Sequence, residues 1–339
     1  MASAQRRSLM SIAGAGGKNF GVKVADPATL PGTNARRPCF SPDGNYIAVP
    51  SVGTPYITVY PWTGAFGTKV ANPSTLPSSV GYGTAFSPSG NKIVVAHDIT
   101  PFFSVYPWSG NFGTKRANPA SLPSSLASDV KFSPDGNYIA LAVNATPFIT
   151  VYIDFASSFT KIVNPSTLPA GSGNGVAFSP AGDYIAVAHN ISPYISVYPW
   201  TGTFGAKVAD PATLPSITGY AVAFSNSGNY IATGNSSSPY INIYPWTGVF
   251  GTKIANPVIT PAGNSYHIAF SPEDDYIAVA HATSPYISVY PFGGTFGAKV
   301  TDPATLPTGL GNGVAFSPDG KYIAVGHNVT PFISVYPFL

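Results

Sequence analysis

Apolar and polar positions alternate along this chain in short bursts. Residues 194–198 put Ile195 and Val197 on one side and Tyr194, Ser196 and Tyr198 on the other, a period of two that predicts a strand. Just upstream, Val176-Ala177-Phe178 and residues 184–188 form two more apolar runs, joined by Ser179-Pro180-Ala181-Gly182. Proline early and glycine late is the signature of a tight hairpin connection. After Pro199-Trp200-Thr201-Gly202 turns the chain again, residues 204–209 make a fourth strand. The connector through Pro211 and Pro215 forbids a fifth paired strand.

This unit recurs at a fixed interval. Its opening phenylalanine appears as Phe40, Phe86, Phe132, Phe178, Phe224, Phe270 and Phe316, always 46 residues apart. Four short antiparallel strands repeated seven times predict an all-β fold, a seven-bladed β-propeller. The chain enters on a lone fourth strand (residues 20–26) and leaves after a third (residues 335–339), so the leading strand is expected to complete the last blade and close the ring. The expected organisation is an N-terminal arm over 1–19 and a propeller over 20–339. The phenylalanine row is expected to fill the blade cores.

Composition changes the picture mainly by what it removes. Only 9% of the 339 residues are charged, against roughly a quarter in ordinary domains, and glycine and proline number 35 each, which almost excludes helix. The net charge of +3 gives no argument for nucleic acid, because seven lysines (Lys23, Lys69, Lys115, Lys161, Lys207, Lys253 and Lys299) share one repeat position and spread around the ring. On the outermost strand they are expected to block edge pairing. Cys39 stands in a row of alanines and reads as a small apolar residue. No apolar run reaches the roughly 18 residues of a membrane span. The opening Arg6-Arg7-Ser8-Leu9-Met10 is open to three readings: an export signal, a disordered tail, or an arm that docks on a partner subunit.

Val-Ala-Phe-Ser-Pro-Asp-Gly followed by Ile-Ser-Val-Tyr-Pro-Trp resembles the blades of WD-repeat propellers over residues 20–339, although Tyr198-Pro199-Trp200 stands where that family carries Trp-Asp. The low-charge Ser/Thr-Pro-Tyr-Ile-Thr-Val-Tyr segments also resemble repeats in tail and other virion proteins of tailed bacteriophages. That resemblance implies a structural or interaction role in a phage particle, with neighbouring virion subunits or a host-surface glycan as partners. An alternative class is a channel-mouth hydrolase or lactonase; another is an intracellular protein scaffold in the cytoplasm.

Candidate chemistry is sparse, and no catalytic residue or cofactor is expected. His97, His189, His281 and His327 end the second strands, too splayed around a ring to converge on a metal. Trp62, Trp108, Trp200 and Trp246 follow the third strands and either stack on sugar rings or pack between blades. Arg37, Asp129 and His267 interrupt a row of small residues before the innermost strand, and Lys131 interrupts another two positions on. Alternation puts Asp129 and Lys131 on one side, facing the central channel, as lining or as a site.

Overall fold

The computed structural model describes residues 17–155 and 158–339. The expectations for residues 1–16, including the arginine pair and the docking arm, lie outside the described residues.

Seven antiparallel sheets follow one another in chain order, and no helix occurs among the described residues. Blade 1 holds Cys39–Phe40, Tyr46–Pro50 and Ile57–Pro61; blade 2 holds Gly81–Phe86, Lys92–His97 and Phe103–Pro107. Blade 3 holds Ala127–Phe132, Tyr138–Val143, Ile149–Asp154 and Phe159–Lys161. Blades 4 to 7 repeat the three-stranded pattern, ending with Gly311–Phe316, Tyr322–His327 and Ile333–Pro337. Blade 1 has the shortest inner strand because Pro38 occupies the slot of Thr84, Val130 and Val176 and removes a ladder donor.

The expected fourth strand forms as a full ladder only in blade 3. Elsewhere the outer segment is held by single bonds, such as Gly67 N–H to Pro61 O at 2.9 Å and Val70 N–H to Val59 O at 2.9 Å. A hydrogen-bonded antiparallel pair exchanges two bonds, and a proline has no N–H to return the second. Blade 3 carries Ile153 in that slot, and its outer strand pairs continuously from Phe159 opposite Asp154 to Lys161 opposite Tyr152. The lysine row lies on these outer segments, and six of its seven members reach three residues along to an acid or amide, as Lys207 to Asp210 and Lys69 Nζ to Asn72 at 2.6 Å.

Ring closure is observed. Phe20 bridges Phe338, Gly21 N–H donates to Pro337 O and Val24 N–H to Val335 O, both at 2.8 Å. The pairing begins earlier than residue 20, since Asn19 N–H donates to Leu339 O at 2.7 Å. Each of the seven apolar clusters spans two adjacent blades, and one joins Phe40 and Ile47 of blade 1 to Ile333 and Val335 of blade 7. Burial therefore lies between blades, so the sheets stabilise one another around a circle.

The phenylalanine row packs in the apolar clusters, with Phe40, Phe86, Phe132, Phe224 and Phe270 buried and Phe178 and Phe316 partly buried. Outside blade 3, where Asp154 takes the slot, its rings pack edge-to-face on the aromatic that follows the third strand, as Phe178 on Trp200 at 6.2 Å between centroids. The same rings line an axial cavity, so they fill the inner end of each cluster and one edge of each meets open space.

Candidate functional site

Three layers follow one another down the axis. At the face carrying the inter-blade connectors, a mouth of about 380 Å³ is framed by one repeat row: Arg36, Tyr82, Ser128, Asn174, Tyr220, Tyr266 and Asn312. In blades 2 to 7 each of these is the extra residue of a β-bulge. In blade 4 the register runs from Gly173 opposite His189 to Gly175 opposite Ala188, leaving Asn174 without a cross-strand partner. A bulge re-aims its unpaired side chain, and here six such side chains, with Arg36 of blade 1, turn to one opening. Elsewhere the repeats are close to identical, but this row differs from blade to blade and holds only polar or aromatic residues.

The mouth is partly knit together. The Arg36 guanidinium lies 5.2 Å from the Tyr82 ring centroid, and the rings of Tyr220 and Tyr266 meet edge-to-face at 5.1 Å. Asn312 Nδ2 donates to Asn34 Oδ1 and Ala35 O, both at 2.8 Å, and Asn174 Nδ2 to Gly219 O at 2.8 Å. Arg36 Nε and Asn328 Oδ1 are buried with no partner among the described residues.

Below the mouth the channel is plugged. Arg37 reaches across the axis, forming an ion pair with Asp129 at 3.0 Å and donating to Tyr220 O at 3.0 Å. Lys131 Nζ lies 3.3 Å from the other Asp129 oxygen, and Val176 N–H donates to Asp129 at 3.3 Å. Burial pushes the Asp129 carboxyl up, but Lys131, Arg37 and His267 outweigh it and hold it at about 2. Burial, helped by Arg37 and Lys131, lowers His267 to about 3, and its Nδ1 sits 2.9 Å from Val314 O. The small residues at this level admit no wider bore: a Cβ on Gly313 would stand 2.5 Å from Arg37 Cα, and one on Gly83 2.8 Å from Asp129 Oδ1. The four residues that interrupt the small-residue rows therefore meet at one point. Asp129 is not simply channel lining; it is the shared anion of two cations.

On the far side opens a vestibule of about 730 Å³, walled by the phenylalanine row and rimmed by prolines such as Pro42, Pro134 and Pro318. Lys131 and Cys39 are part of its lining, and burial pushes the Cys39 thiol up to about 12.

The tryptophans are not platforms. Trp62, Trp108, Trp200 and Trp246 are 4–6% exposed, each pinned edge-to-face between a tyrosine of the preceding blade and a phenylalanine of its own outer segment. A sugar needs the open face of a ring, and these faces are covered. The four histidines are buried, each with Nε2 3.0 Å from a third-strand serine, as His189 to Ser196.

Sequence reasoning passed over the mouth row because alternation alone assigns those residues to a blade face. The available signal was their blade-to-blade variety within an otherwise uniform repeat. A second missed departure lies between blades 2 and 3. Lys92, Asp154 and Arg116 replace the tyrosine, the tryptophan or phenylalanine, and the valine or isoleucine of the other interfaces, and both cations pair with Asp154 (Lys92 at 2.7 Å).

No family model matches the sequence, and no curated protein matches it. Among solved structures, a chain of Kuenenia stuttgartiensis hydrazine synthase superposes with a TM-score of 0.68 at 16% identity, covering 92% of this chain and 97% of that one. Identity this low shows the fold alone. Since 1499 solved chains match, the architecture does not discriminate between functions. The sheets, the ring closure and this likeness together place the chain among seven-bladed β-propellers.

Proposed function

We propose that this protein is a non-enzymatic binding module that takes a surface carbohydrate at its polar mouth and serves as a structural subunit of a particle such as a phage virion. The observation that carries the reading is this row: seven polar or aromatic side chains of four kinds at one repeat position, converging on one opening. Carbohydrate recognition needs a ring to cover a C–H face and several amide, hydroxyl or guanidinium groups to pair with hydroxyls. Tyr82, Tyr220 and Tyr266 supply the first; Asn174, Ser128 and Arg36 supply the second, while both amide hydrogens of Asn312 are already given to Asn34 and Ala35.

The plug argues against the hydrolase alternative. A general acid or base works best with a pKa near the operating pH. Asp129 at about 2 and His267 at about 3 are both far below neutrality, and Asp129 is already committed to Arg37 and Lys131. The virion setting is supported by the resemblance of the repeats, and finding the protein in purified particles is its test.

A glycan array tests the binding reading. Tyr266→Ser, which installs the residue blade 3 uses, is expected to weaken binding about 10- to 30-fold, the loss of one aromatic anchor. Trp200→Phe should leave binding unchanged. Binding that depends on Trp200 and ignores Tyr266 contradicts the assignment, as does metal-dependent turnover lost in Asp129→Ala.

A further inference from the structure

The vestibule is a second compartment, separated from the mouth by the Arg37–Asp129 plug and open to the opposite face. Its volume of about 730 Å³ falls in the range of small-molecule sites, which are mostly apolar with few polar groups. Its walls fit that description, since the phenylalanine row and the proline rim offer no charge. The charged groups in its lining are Arg37, 12% exposed, and Lys131, whose side chain is 32% exposed in a row that is otherwise Cys39 or alanine.

The charge at this floor does not balance. Arg37 and Lys131 both pair with Asp129, so two cations share one carboxylate. His267 is neutral there and adds nothing near pH 7. Of the three Lys131 ammonium donors, only the one to Asp129 is engaged among the described residues. One positive charge is therefore left over at the bottom of an apolar well, where a counter-charge interacts more strongly than in water. The turns of the same face carry Asp43, Asp135, Glu273 and Asp319, the last paired with Lys321.

We propose that the vestibule binds a small monocarboxylate with an aromatic or branched aliphatic body, its carboxylate on Lys131 and its body against the phenylalanine wall. This site is independent of the carbohydrate mouth. Titration calorimetry on the full chain with 4-phenylbutyrate, and with its neutral counterpart 4-phenyl-1-butanol, tests it. The acid is expected to bind at least about tenfold tighter than the alcohol. Lys131→Ala, the residue of the sister blades, should erase that preference while leaving alcohol binding in place, and Lys131→Met should do the same with the side-chain length kept. Tyr266→Ser should change neither ligand's affinity. No millimolar binding of either ligand, an acid preference that survives both Lys131 substitutions, or a loss that follows Tyr266→Ser would each overturn the proposal.

Discussion

Each buried histidine of the second strands stands in a slot that also accepts Ser51, Val143 and Asn235, so the ring has no need of a charge there. Burial lowers His97, His189, His281 and His327 to about 4, and His267 to about 3. The unfolded chain takes up these protons near pH 6.5, whereas the folded ring refuses them until pH 4 or below. Stability is therefore full above pH 6.5 and falls as pH drops towards 4, with a limiting slope of about 1.4 kcal/mol per pH unit for each histidine. Asp129 acts lower: its depressed carboxyl contributes above pH 4 and is lost only between about 4 and 2. Urea midpoints should drop between pH 7 and pH 5, and His189→Asn should flatten that slope by one histidine's share; a midpoint independent of pH over this range contradicts it. Residue identities of this kind were legible by stacking the repeats. Arg37, Asp129, Lys131 and His267 stood out because they broke rows of glycine and alanine. Arg36, Tyr82 and Tyr266 did not, because a row without a consensus offers nothing to break, and because only the bulge turns the two tyrosines to the axis.

Between elements, the informative site is the interface of blades 2 and 3. Six interfaces use an edge-to-face aromatic pair such as Tyr138 with Trp200 at 5.1 Å; the seventh uses Lys92 and Arg116 around a fully buried Asp154 side chain. Removing one partner of a buried ion cluster strands the others, so Asp154→Ala should cost about 3–5 kcal/mol in denaturant unfolding. Restoring the sister residues together, Lys92→Tyr, Arg116→Val and Asp154→Trp, should recover most of it. A loss under about 1 kcal/mol for Asp154→Ala would mean that the cluster behaves as exposed surface charge. The outer strands show where reading the elements from sequence fell short. Alternation at residues 204–209 is real, but Pro199 cannot complete the pair that would extend the ladder, and one isoleucine in its slot restores the ladder in blade 3. The phenylalanine row carries a related lesson. Phe178→Ala removes a ring that faces an open vestibule, so it should cost less than the roughly 3–5 kcal/mol of a closed core site.

For the whole molecule, sequence phase alone foretold the closure: a leading outer segment without its blade and a final blade without its outer segment. What phase cannot convey is what sits on the axis, because that depends on Arg37 of blade 1 crossing to blades 3 and 5, contacts far apart in sequence. Mouth, plug and vestibule all require the blades to be held at fixed angles, and that requires the circle to be complete. Phe20 packs edge-to-face on Tyr336 at 5.5 Å and on Phe338 at 5.6 Å, and Val24 packs against the cluster joining blades 7 and 1. The most direct measurement is therefore denaturant unfolding of the chain lacking residues 20–26 beside the intact protein. A closed ring predicts one cooperative transition shifted to lower denaturant, with at least the roughly 3–5 kcal/mol of a lost core phenylalanine. Superimposable transitions for the two chains would contradict closure, and with it the placement of every axial residue.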